Sequence, residues 1–170
     1  MKPAVSATSV CRRATGDPAA QPCRSVSSLT KVTRLRTTAY GSPLARKLGI
    51  KPSSTLALRG APDGFDGVLG ELPDGVFIKR RVVAPLDVIV AFFVRRGELE
   101  RRFERLAAAV FPDGGLWIAW PKRASGVPTD LTEDVARAVG LAHGLVDNKV
   151  CAIDETWSGL RLVHRLENRR

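Results

Sequence analysis

The sequence predicts a three-layer α/β fold: a mostly parallel sheet, covered by helices on both faces, that ends in an antiparallel hairpin. Three observations predict it. The stretch Pro85–Val94, PLDVIVAFFV, is apolar at successive positions, as a strand buried on both faces requires. Strand-like and helix-like segments alternate from Thr55 to Ala142, which implies right-handed crossovers in an open sheet. The last two apolar runs, Val150–Asp154 and Leu160–Leu166, stand too close in the chain for a crossover and must pair as a hairpin.

The elements follow in order. Ser42-Pro43-Leu44 opens a short helix, with Ser as N-cap and Pro at the first helical position, and Gly49 stops it. Thr55–Leu58 is a short apolar strand leading into the turn-rich RGAPDGF. A short helix is expected over Phe65–Leu69 before ELPDG turns the chain into a second strand, Val76–Ile78, which runs out in Lys79-Arg80-Arg81. After the central apolar strand, RRGELERRFERLAAAVF forms a helix. Leu99, Phe103, Leu106 and Val110 line its inner stripe, and Glu98 and Arg102 pair four apart on its wet side. PDGG ends that helix, and Leu116–Trp120 is the next buried strand. The loop PKRASGVPT precedes a last helix, DLTEDVARAVGLA, in which Asp130 and Glu133 have capping-box spacing. ETWSG is expected to be the hairpin turn, with Ser–Gly supplying the turn chemistry.

Charge divides the chain. Of a net charge of +10, residues 1–38 carry +6: seven Lys/Arg against the single acid Asp17. Rich in Ser, Thr, Ala, Arg and Pro and without an apolar period, residues 1–38 read as a disordered basic tail, and 39–170 as a single α/β domain. The tail is open to three readings: a natural floppy segment, a targeting peptide, or sequence upstream of the true start. No apolar run approaches the roughly 18 residues that cross a bilayer, so no membrane association is expected. Three cysteines without CxxC spacing argue against disulfides or zinc and for a reducing cytoplasm.

In open α/β sheets ligands bind beyond the C-terminal ends of the parallel strands, which yields a site map. The first strand delivers Gly60, Asp63 and Gly64 to that border. The PDGG strand delivers Trp120, Lys122, Arg123, Ser125 and Gly126. If the first hairpin strand is parallel to these, it delivers Asp154, Glu155 and Trp157. Lys122, Arg123, Ser125 and Gly126 can serve as an anion cradle or as a solvated loop. Asp154 and Glu155 are adjacent and point to opposite faces on a strand, so they form no acid/base pair unless a turn twists them together. Either one can pair with Lys122 or Arg123. Trp120 and Trp157 can line a pocket or pack.

Other chemistries lack their signals. His143 and His164 have no ligand-spaced partner, so no metal is expected. There is no Gly-x-Ser-x-Gly elbow and no Gly-x-x-x-x-Gly-Lys-Ser/Thr loop. The basic clusters Lys79-Arg80-Arg81, Arg95-Arg96 and Arg101-Arg102 are interleaved with Glu98, Glu100 and Glu104, and aromatics amount to only 6%. Nucleic-acid binding is therefore expected only weakly, through the tail.

The order of elements resembles the second half of the class I, S-adenosylmethionine-dependent methyltransferase fold. PLDVIVAFF looks like the strand that follows the cofactor region there, and FPDGGLWIAWPK like a Pro-x-Gly-Gly strand entry. The resemblance implies a Rossmann-like, shortened methyltransferase-like sheet. The segments YGSPLARKLGIKP, APDGF, PDGGLWIAWPKRASGVPTDLTEDVAR and GLVDNKVCAIDETWSGLRLV are similar to the bacterial family called domain of unknown function 3052, over about Tyr40 to Arg165. Two departures bear on the cofactor. In LALRGAPDGFD a Pro separates Gly60 from Gly64, and the strand–helix unit that carries the ribose-binding acid in methyltransferases lacks a counterpart after Val76–Ile78. No cofactor is therefore the leading expectation, with S-adenosylmethionine left open as the alternative.

The leading expectation is a non-catalytic binding or regulatory module whose rim takes a small anionic ligand or a protein partner. Alternatives are a methyltransferase-like or other nucleotide-cofactor enzyme using the same rim, and a weak nucleic-acid binder.

Overall fold

A computed structural model describes residues 44–169. The expected disorder of the tail, 1–38, lies outside the described residues. The chain forms α1 (Leu44–Leu48), β1 (Thr55–Arg59), α2 (Phe65–Leu69), β2 (Phe77–Lys79), β3 (Val88–Phe92), α3 (Arg96–Ala109), β4 (Gly115–Pro121), α4 (Glu133–Ala142), β5 (Leu145–Ala152) and β6 (Trp157–His164). The six strands lie in the order β2-β1-β3-β4-β6-β5. β2, β1, β3 and β4 are mutually parallel, and β6 is antiparallel to both β4 and β5. The predicted architecture is the observed one.

The continuous apolar runs arise because alternate residues serve different faces. On one face Ala57, Ile89, Ala91, Ile118 and Trp120 pack with Leu99, Phe103 and Leu106 of α3 and Val139 of α4. On the other, Leu56, Leu58, Val88, Val90 and Trp117 pack with Leu44 and Leu48 of α1 and Phe65 and Leu69 of α2. The α3 stripe is buried as its spacing predicts, and Arg102 meets Glu98 at 3.1 Å. The buried Trp117 indole Nε1 donates to the Leu48 carbonyl at 2.9 Å, tying α1 to the middle of the sheet.

Two local expectations are corrected. The hairpin strands begin earlier than predicted, and the turn is Ile153–Thr156. Ile153 and Asp154 N–H both donate to the Trp157 carbonyl, so Trp157-Ser158-Gly159 belong to β6 rather than to the turn. The predicted second strand, Val76–Ile78, is β2, which pairs in parallel with β1, and among the described residues neither helix nor further strand separates it from β3, as expected. Asp130 does not cap α4. Thr132 does, its Oγ1 accepting from the Val135 N–H at 3.3 Å. No helix among the described residues is long and apolar enough to cross a membrane.

Replacing Trp117 by Phe removes a buried donor and strands the Leu48 carbonyl. The expected cost is about 2–4 kcal/mol of unfolding free energy in urea titrations. A loss below about 0.5 kcal/mol, the size of a surface change, would show that this hydrogen bond does not anchor α1.

Candidate functional site

Parallel β1, β3 and β4 bring their C-terminal ends to one border. β5, antiparallel to β6 like β4, adds the hairpin turn there. The chain goes from β1 outward to β2 and then returns to β3 on the other side of β1. The switch point where ligands bind in such sheets therefore lies between β1 and β3.

At that point Gly60 has φ 63°, and a Cβ on it would lie 2.9 Å from the Phe92 carbonyl oxygen. Only glycine fits, for reasons of conformation and of space. Asp63 is exposed, and its carboxylate makes no hydrogen bond or ion pair among the described residues. Gly64, also exposed, is the N-cap of α2. At the same border Phe65, Phe92 and Trp157 form an edge-to-face trio, with ring centroids 4.8 Å and 5.0 Å apart. Phe65 and Phe92 are buried and Trp157 partly so.

The two loops predicted to share a rim do meet. Lys122 Nζ donates to the Asp154 carbonyl at 2.6 Å, and the Lys122 N–H donates to the Thr156 carbonyl at 2.7 Å. The partner of Lys122 is thus a carbonyl and not a carboxylate. Asp154 Oδ1 instead accepts the N–H groups of Thr156 and Trp157, both at 2.7 Å, closing its own turn. Glu155 is exposed. Ser125 Oγ donates to the Lys122 carbonyl at 2.7 Å and accepts from the Val127 N–H. Arg123 and Gly126 are exposed beside it. Trp120 is not part of this group: it is buried in the core on the α3 and α4 face, whereas the trio lies on the other face.

Sequence reasoning passes over the trio and over an adjacent cleft of about 240 Å³ lined by Val94, Arg95, Pro128, Thr129 and Asp130. Two reciprocal ties build the cleft wall. Asp130 Oδ1 accepts the Arg96 N–H at 2.6 Å, capping α3 from another loop, and Thr129 Oγ1 donates to the Val94 carbonyl at 2.8 Å. The volume is below the roughly 300–1,000 Å³ of small-molecule pockets and suits a small polar group. Both ties span more than 30 positions of chain, so no local spacing signals them. Among the described residues no group of three His, Cys, Asp or Glu is placed to hold a metal ion. The His143 and His164 rings each meet a backbone carbonyl at 2.9 Å.

Solved structures share this sheet. A S-adenosylmethionine-dependent methyltransferase from Aquifex aeolicus superposes with a TM-score of 0.51 at 17% identity, over 70% of this chain and 86% of that one. The fold is methyltransferase-like. A possible exported protein from Bordetella parapertussis gives a TM-score of 0.52 at 10% identity, over 71% of this chain and 65% of that one. No family model matches the chain and no curated protein does, so the likeness to domain of unknown function 3052 stays a resemblance in sequence segments. The expectation of no cofactor is overturned, because this sheet is that of a protein described as S-adenosylmethionine-dependent.

Substituting Asp154 by Ala removes both N–H partners of the turn. It should cost about 1–2 kcal/mol and speed amide exchange at Thr156 and Trp157, with Asp154→Asn milder. Unchanged exchange at these two amides would show that the carboxylate does not hold the turn.

Proposed function

We propose that the protein is a methyltransferase that holds S-adenosylmethionine at the crevice between the ends of β1 and β3. The observation that carries this reading is Gly60. It stands at the switch point of the sheet, where its backbone lies so close to β3 that no side chain is admitted and the loop turns at the place where such sheets take their ligands. Asp63 follows in the same loop with an uncommitted carboxylate, suited to accept hydrogen bonds from hydroxyl or ammonium groups of such a cofactor. A second carboxylate, Asp66, stands toward the end of β2, where Arg80 holds it at 2.7 Å. Phe65, Phe92 and Trp157 supply an apolar wall that excludes water from the crevice. When bound, S-adenosylmethionine supplies an electrophilic methyl group. The chain's own contribution is to bind, orient and keep the crevice dry.

The test is calorimetric titration of the full chain with S-adenosylmethionine and S-adenosylhomocysteine, beside Asp63→Asn. Saturable binding is expected, weakened about tenfold or more in Asp63→Asn through loss of a charged acceptor, with melting temperature unchanged without ligand. Absence of binding by either compound overturns the function. Equal binding by Asp63→Asn overturns the role of that carboxylate.

A further inference from the structure

The opposite, N-terminal border of β4 holds a second unusual group. Arg161 projects from β6 toward the end of α1, and its guanidinium lies flat on the backbone at Gly115. A Cβ there would come within 2.6 Å of Nε and 2.9 Å of Nη2, whereas a Cβ on Gly49 would stand 4.0 Å from Nη2, at ordinary contact distance. The absent side chain of Gly115 makes the space that this guanidinium occupies. The side chain is partly buried, and its Nε is sealed from solvent. Its guanidinium makes no hydrogen bond or ion pair among the described residues. Nε is also the one buried side-chain nitrogen or oxygen without a partner among them.

The surroundings deepen the anomaly. Lys149 is the cross-strand neighbour of Arg161, a like-charge pairing that destabilises a sheet, and its Nζ donates to the Lys47 carbonyl at 2.8 Å. Burial, and then the charge of Arg169, push the Arg161 pKa down from its ordinary value. The nearby acids are committed elsewhere. Asp113 pairs with Arg169 at 3.2 Å, and Asp87 Oδ2 accepts the Thr55 N–H at 2.7 Å. A guanidinium stays charged, and a partly buried charge without hydrogen bonds is costly to the fold. Its planar set of donors matches a phosphate or carboxylate group.

We propose that Arg161, with Arg169 and Lys149 beside it, forms a binding site for a small oxyanion, a phosphate ester or a carboxylate, at the border of the sheet opposite the crevice. The site is independent of the proposed methyl transfer. The oxyanion accepts from the terminal guanidinium nitrogens of Arg161, which unlike Nε reach solvent, and offsets the repulsion between Arg161 and Arg169.

Melting of the full chain is followed with inorganic phosphate and, separately, acetate, at constant ionic strength. It is compared with Arg161→Gln, Arg161→Lys and the exposed control Arg105→Gln. At about ten times its Kd the preferred anion should raise the wild-type Tm by roughly 4 °C. The control should respond alike, Arg161→Lys less, and Arg161→Gln not at all. Without anion Arg161→Gln should melt at or above the wild-type temperature, since it removes an unpaired charge. Response to phosphate alone identifies a phosphate site, and response to acetate a carboxylate site. The proposal is overturned if neither anion shifts the wild type, or if the shift persists undiminished in the Arg161 variants. Should Arg161→Gln fail to fold, an undiminished shift in Arg161→Lys still overturns it.

Discussion

Strand β3 has no face to offer water, and the architecture follows from that. Val88 to Phe92 are all buried, and since successive side chains point to opposite faces, both faces need an apolar cover. β4 is in the same condition along its whole length. To cover both faces the chain must leave one strand at its end, cross a face, and re-enter at the far border. β1, β3 and β4 therefore share a direction and release their loops together. The crevice at Gly60 is a by-product of burying the neighbouring strand, and the tight approach to the Phe92 carbonyl is part of the same packing.

Most polar groups at the C-terminal border are occupied in holding loops to one another. Lys122, Ser125, Thr129, Asp130 and Asp154 each bind main-chain atoms, converting mobile loops into fixed walls. Asp63, Arg95, Arg123 and Glu155 are exposed and uncommitted among the described residues, so they are the side chains free to meet a ligand. A residue type that suits chemistry is thus a poor guide by itself. Asp154 and Asp63 are both border aspartates, yet one closes a turn and the other closes nothing.

The layer order, the buried strands and the α3 stripe were legible because burial leaves marks in the sequence, an unbroken apolar run for a strand covered on both faces and a period near four for a helix. The terminal hairpin was legible as a pairing but not in its boundaries. Trp157, Ser158 and Gly159 have turn-like composition, but Gly159 lies in β6 because Ile153 and Trp117 leave no room for a side chain there. The meeting of Lys122 with the Asp154 turn was legible from topology. The trio of Phe65, Phe92 and Trp157 was not, since each residue reads locally as core. Asp130 also misled: its spacing to Glu133 imitates a capping box, while its actual partner is the N–H of Arg96, 34 positions away.

The two borders differ in how their polar groups are satisfied. At the C-terminal border loops satisfy one another, and the buried groups elsewhere follow suit, with Trp117 Nε1 on a carbonyl and Ser54 Oγ accepting from the Lys51 N–H. Arg161 alone among the described residues breaks that pattern. Folding does not require a guanidinium at that place, because an apolar or amide side chain would cover Gly115 without an unpaired charge. Nor does solubility, since the chain already carries a net charge of +10 and Lys149 and Arg169 stand alongside. A charge that the fold neither pairs nor needs, lying on a glycine, Gly115, that makes room for it, is explained by an acceptor from outside the chain.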